Sequence, residues 1–223
     1  MILCLFQKNG NGSRKVQVLD WEKGTQIDAT GWVSYRNGAT SYKIEHSPGL
    51  VVEYHPSHIR PLDEERIVLL PSWLREAHDI ANQLQAYRIH IEGLKRMAEE
   101  DKLFKTEYEK ILEDSLNKTA FMVKECHRCQ KILSQHFKEL SAQREALRRD
   151  VLMLTVDRML NAVQKQDFSR KLAEFREKEA FMEMQLRTIT QALTLLNETL
   201  AKGVQITSLG VTTHIPKAIE PRA

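Results

Sequence analysis

The chain has 223 residues, of which 28% are charged and 7% aromatic, with nine glycines and six prolines. Thirty-three basic against thirty acidic side chains leave a formal charge of +3, and both signs stay near balance within residues 1–70, 71–201 and 202–223. That balance excludes a basic stripe able to bind nucleic acid by counterion release, and a proline-free run over 72–202 with Gly93 as its one glycine excludes the α/β catalytic folds, which need frequent Gly-rich turns.

The apolar opening, Met1 to Phe6, lacks a basic leader and is too short for a signal peptide. No window approaches the ~18 apolar residues of a membrane span, and three cysteines do not make a disulfide framework. The expectation is a soluble, intracellular protein with no membrane contact.

Residues 1–70 alternate with period two. Val16 and Val18, Ile27 and Ala29, Trp32, Val33 and Tyr35, Tyr42 and Ile44, Val51, Val52 and Tyr54, and Ile59 fall in short runs. Turn signals separate them at Asn9–Gly12, Glu22–Gly24, Arg36–Ala39 and Ser47–Gly49. Asn37–Gly38 is a strong hairpin signal because both residues tolerate positive φ. Four or five strands at this spacing predict a small barrel. Its core is thin, so the apolar N-terminus and Ile67–Leu70 are expected to help cover it.

The order V-x-V-x-D-W-x-x-G from Val16 to Gly24, then I-D-A-T, W-V-S-Y and the run from Tyr42 to Leu62 ending in I-R-P-L, resembles the SH3-like barrel family that includes Tudor domains. The resemblance covers under a quarter of the chain. In members that bind methylated Arg or Lys it implies a cage of three or four rings around the cation. Position by position, Trp21 matches the first-strand ring, whereas Ile27 stands in place of the second, and His46 and the Pro48–Gly49 turn replace the rings of the next hairpin. One ring does not surround a cation. Trp21, Trp32, Tyr35, Tyr42 and Tyr54 form the candidate interaction face, with core placement the alternative for at least half of them.

From Pro71 the pattern changes to a rod, with Ser72 as expected N-cap and Glu76 in the first turn. Trp73, Ala77, Ile80, Leu84, Tyr87, Ile91 and Leu94 follow a 4-3 heptad spacing, one narrow stripe suited to another helix. A second seam runs through Leu133, Phe137, Leu140, Leu147, Val151, Leu154, Phe168, Leu172, Phe175, Met182, Leu186, Ile189, Leu193, Leu196 and Leu200. Arg144, Arg158, Asn161, Lys165 and Glu179 interrupt it. Between the seams Phe104, Tyr108, Leu112 and Leu116 step by four, which unwinds a supercoil locally.

Beside Val151 a second stripe, Leu152, Val156, Met159 and Val163, widens the face enough for a third helix. Residues 151–165 are the candidate hinge, hairpin or change of partner. As a single helix, residues 72–202 would extend about 195 Å with a wet seam. Each buried Leu or Ile is worth about 1.5–3 kcal/mol, so the seams must be covered. With no Gly or Pro turn in the run, packing against another molecule ranks above fold-back. After Lys202, Gly203 is the expected helix stop, and 203–223 is expected as an extended or disordered tail.

Cys126 and Cys129, followed by His136, have metal-ligand character but supply fewer than the four ligands zinc wants; the expectation is seam and surface residues without metal. His55 and His58 read as surface residues of the barrel. No P-loop, dinucleotide fingerprint, zinc-protease motif or nucleophile elbow occurs. No catalytic residue or cofactor is expected.

The fold class is α+β, mainly α: a small SH3-like barrel over 1–70, long coiled-coil helices over 72–202, and a tail. The expected function is a non-enzymatic structural or scaffold protein binding coiled-coil or filament-associated partners, or a second copy of itself, in a cytoskeletal or ciliary setting. The alternative is a dimeric adaptor, for which a nuclear location is open, whose Tudor-like barrel reads a modified protein tail or nucleic acid.

Overall fold

A computed structural model describes residues 13–36, 39–99 and 105–211. The chain is 69% helical, with a curled N-terminal sheet followed by helices, an α+β and mainly α architecture. It divides into two compact units, Met1–Arg75 with His136–Ile189, and Glu76–Gln135 with Thr190–Ala223.

In the first unit, six strands form one sheet: β1 (Ser13–Leu19), β2 (Gln26–Arg36), β3 (Ala39–Ser47), β4 (Leu50–Tyr54), β5 (Ile59–Pro61) and β6 (Arg66–Leu69). The order across the sheet is β4-β3-β2-β1-β6-β5. Every pair is antiparallel except β1 with β6. The small barrel predicted from the turn spacing is a curled half-barrel, its edges held by β4 and by the short β5 with Pro61. Asn37 and Gly38 lie outside the described residues, as does the apolar stretch at 1–12; the pairing of β2 with β3 closes at Arg36 and Ala39.

Alternation explains the core. Val16, Val18, Val33, Tyr42, Ile44, Ile59 and Ile67 form one buried cluster, with Ile27, Ala29, Tyr54 and Leu69 packed on it. Gly31 lies between Val16 of β1 and Ile44 of β3. A Cβ there would stand 2.9 Å from Val16 Cγ2, 3.1 Å from Val18 Cγ2 and 3.3 Å from Ile67 Cδ1. The missing side chain lets neighbouring valines fill the concave face.

Aspartates set two of the turns. Asp20 Oδ1 accepts from the N–H of Glu22 (2.9 Å) and of Lys23 (2.8 Å), and Gly24 completes the β1–β2 connection at φ +66°. Asp63 Oδ1 accepts from the N–H of Glu65 (2.9 Å) and Arg66 (2.8 Å) in the β5–β6 connection. The Arg66 guanidinium, bonded to Asp63 Oδ2 at 2.7 Å, holds that carboxyl below the usual carboxylate range.

The described helices are three rather than one rod: α1 (Ser72–Glu99), α2 (Lys105–Met159) and α3 (Lys165–Val211). Phe104 of the loosened middle lies outside the described residues. Pro71 O accepts from the N–H of Arg75 at 3.0 Å, so the cap of α1 is Pro71 and not Ser72. Nor does Gly203 end α3, which continues to Val211.

The ranking of packing against another molecule above fold-back is corrected by the connection between α2 and α3. Asn161 takes φ 57°. Ala162 N–H donates to Asp157 O at 2.8 Å and Asn161 N–H to Arg158 O at 3.2 Å, the two bonds of a Schellman cap with Asn161 in the place usually held by glycine. Arg158 Nη1 donates to Val163 O (3.1 Å), bracing the turn. Down the returning helices Arg148 pairs with Glu179 at 2.9 Å.

The second unit takes its own parts of α1, α2 and α3. Ile80, Leu84, Ile91 and Leu94 are buried as their heptad spacing predicts, together with Ala77 and Ala81. Opposite them in sequence lie Met122, Cys126, Cys129 and Leu133 of α2, and Ala192, Leu196 and Leu200 of α3, also buried. Ser115 and Thr119 turn their hydroxyls back onto Ile111 O and Ser115 O (2.8 and 2.7 Å), which lets small polar residues sit inside. Arg128 bridges Glu76 and Glu125, and Gln130 Nε2 donates to Asn197 Oδ1 at 2.5 Å.

Substitutions at two positions test this construction by thermal or urea denaturation. Gly31→Ala is expected to cost about 1–3 kcal/mol because Val16 and Val18 must move. At Asn161, glycine is expected to be neutral or stabilising and valine to cost about 1–2 kcal/mol, the penalty of a branched residue in the left-handed region.

Candidate functional site

The rings proposed for a common face do not share one. Trp21 is buried at 8% exposure, its ring edge-on to Trp73 with centroids 6.1 Å apart and planes at 83°. Trp73 in turn stacks on His136 at 4.1 Å and 14°. The heptad stripe that begins at Trp73 therefore loses its first member to this aromatic cluster. Gln185 of α3, itself buried, donates its amide to the Trp21 carbonyl. At the end of the same turn, the face of Gly24 that would carry a Cβ lies 3.1 Å from the Phe181 ring.

Tyr42 is a core residue at 7% exposure. Tyr54 packs on the same core, and its hydroxyl lies 2.7 Å from His46 Nε2. The Arg75 guanidinium sits 5.6 Å from the Tyr54 ring centroid, a cation–π contact that no spacing rule foretold. Trp32 alternates with Val33 and so points away from the core, half-buried, with Lys15 and Lys43 directly opposite it on β1 and β3. Tyr35 lies in β2; its side chain is outside the described residues. His55 caps the short helical turn Pro56–His58, its ring facing His58 at 5.9 Å.

The seam residues also divide. Leu133, Leu186, Ile189, Leu196 and Leu200 are buried. Leu140, Leu147, Phe168, Leu172, Phe175, Leu193 and Tyr87 are half-buried, and Phe137 is exposed. Leu154, on the seam side of α2, is buried. The second stripe on the other side is bare: Leu152, Met153, Val156, Met159 and Leu160 expose 65, 62, 45, 75 and 73% of their surface. Met153 and Leu160 were absent from the stripe as read from sequence, although their spacing from Val156 places them on it.

An open cleft of about 810 Å³ lies in the first unit, between the Leu19–Thr25 turn and helices α2 and α3. Phe181, Met182, Met184 and Leu140 supply its apolar wall, with Lys23, Lys178, Glu174 and Glu177 around them. Charges of both signs line it, so no ligand charge is favoured.

Cys126 and Cys129 are free, buried and one turn apart in the second unit. Cys126 Sγ donates to Leu196 O at 3.8 Å. Burial, and then the neighbouring Cys129, pushes the Cys126 thiol up to about 11; burial raises Cys129 too. His136 belongs to the first unit, on Trp73. Among the described residues no group of three or more His, Cys, Asp or Glu is gathered to hold a metal, and no helix is long and apolar enough to cross a membrane. The chain matches no family model, no curated protein and no solved structure.

Two measurements follow from these contacts. Gln185→Leu should cost about 1–3 kcal/mol, because the Trp21 carbonyl stays buried without its donor. Iodoacetamide near pH 8 should alkylate Cys126 and Cys129 at least about 100-fold more slowly in the native than in the unfolded chain, since both thiols are buried and protonated. Equal rates by peptide mass spectrometry would show that the helices do not pack there.

Proposed function

We propose that the chain is a non-enzymatic scaffold protein that binds elongated helical partners through exposed helix faces and through an SH3-like half-barrel, as a fixed component of a cytoskeletal or ciliary assembly. The observation that carries this reading is the bare apolar stripe at the end of α2. Five large apolar side chains on one helical face cost solubility, and each gains part of the about 1.5–3 kcal/mol of full burial when a partner covers it. Near-neutral charge supports contact with other proteins over contact with nucleic acid. The helices, of 28, 55 and 47 residues, are of the length that suits lateral contact with coiled-coil or filament-associated proteins.

A second reading draws on Trp32. An outward ring between two lysines is suited to stack a base or a side chain of an acidic tail. In this reading the chain is an adaptor with a Tudor-like module. Titration of acidic or methylated peptides and of short single-stranded RNA decides it: binding lost on Trp32→Ala supports it, and no binding removes it.

For the scaffold reading, a photo-crosslinking residue placed at Met153 in cells should give adducts with other helical proteins, and one at exposed Lys171 should not. The chain should also partition with the detergent-insoluble cytoskeleton. A fully soluble chain with indistinguishable adducts at both positions would overturn it.

A further inference from the structure

We infer that the bare stripe of α2 is a self-association face, on which a second copy of the chain packs antiparallel about a two-fold axis through Val156. This rests on the scaffold reading above and names one partner for the same surface.

The first support is the order of residues. Read outward from Val156, the chain meets Met153 and Met159, then Leu152 and Leu160, at equal distances on either side. A two-fold interface requires that if residue i meets residue j, then j meets i. An antiparallel pair centred on Val156 sets Met153 against Met159 and Leu152 against Leu160, with Val156 on itself. Like apolar shapes thus meet at each step. Leu160 follows the last residue of α2, yet its N–H still donates to Val156 O at 2.9 Å, so it keeps its helical place on the stripe.

Charge agrees with the same register. The central stripe carries no charged side chain, and Asp157 stands across from Thr155 rather than from another acid. Arg158 turns back to Val163 O of its own chain.

Area agrees as well. At exposures of 65, 62, 45, 75 and 73%, the five side chains would bury on the order of 1,000 Å² in total over two copies, the size of a weak or transient interface. The expected product is a weak, concentration-dependent dimer. The turn at Leu160–Gln164 ends the face, so the contact closes at two copies and does not propagate.

Sedimentation of the full chain up to roughly 200 µM should show a monomer–dimer equilibrium, as an interface of this size predicts. The paired variant Leu152→Glu with Met159→Glu should weaken it by at least about tenfold with an unchanged circular-dichroism melt, because both residues are already exposed. Disulfide trapping in a Cys4→Ser background reads the register. Val156→Cys should link to itself. Met153→Cys and Met159→Cys should each fail alone and link when mixed, since copies of either are offset by about 9 Å along the axis, beyond disulfide reach.

A chain monomeric throughout that range, or Val156→Cys linking no faster than exposed Ala173→Cys, overturns the inference. If Met153 still captures other helical proteins, the scaffold reading stands without self-association. A dimer in the stated register, with no foreign adducts, keeps the inference and removes the scaffold reading.

Discussion

The first unit depends on one turn pressed against one helix. Residues Asp20 to Gly24 leave β1 with the N–H groups of Glu22 and Lys23 held by one Asp20 carboxylate oxygen and that of Gly24 by the Asp20 carbonyl. That geometry brings the Trp21 carbonyl to Gln185 and the bare side of Gly24 to the Phe181 ring. A half-barrel has two edges and a shallow core. The turn supplies what the sheet lacks. It joins the strands to residues far along the chain, and it extends the core outward through Trp21, Trp73 and His136. Asp20, Trp21 and Gly24 thus form one device: the acid shapes the loop, the ring fills the junction, and the glycine admits the helix.

This device explains why the site was only partly legible. The alternation of Val16, Val18, Val33, Tyr42 and Ile44 marks a buried face because period two has one inner side. Whether the sheet closes is a different matter, decided by what β4 and β5 meet, and that information is not local. Trp21 shows the limit best. Its place after two alternating valines raises the expectation of a ligand-facing ring, but nothing near it in sequence reveals that Trp73 will cover it. Arg75 over Tyr54 is similarly invisible, since the contact joins the start of α1 to the last residue of β4.

The helices repeat the lesson. Heptad spacing located Ile80, Leu84, Ile91, Leu94, Leu133, Leu196 and Leu200 as buried residues. A seam covered by its own chain and one covered by another look alike in sequence, because both need the same apolar spacing. What distinguishes them here is the set of exceptions. Arg158, Asn161 and Lys165 interrupt the seam, and the structure uses each: Arg158 braces the turn, Asn161 adopts positive φ, and Lys165 opens α3. The absence of glycine was misleading, since asparagine enters the left-handed region at little cost.

Fold-back changes what the remaining apolar surface means. Had α2 run on as an uncovered rod, all of its apolar residues would have been equally available, and no face could be singled out. The return of α3 consumes the seam side of α2, where Leu154 is buried, and leaves the stripe through Val156. That stripe cannot be explained as seam left over from the hairpin, because it lies on the opposite side of the helix from Leu154. Nor does it stabilise the monomer, in which it is wet. A helix end that keeps Leu152, Met153, Val156, Met159 and Leu160 on one exposed face carries a cost in solubility without a return inside its own unit. The proposed contact with another surface would give those residues a physical role, and their symmetric order about Val156 is the feature that a second copy would use in full.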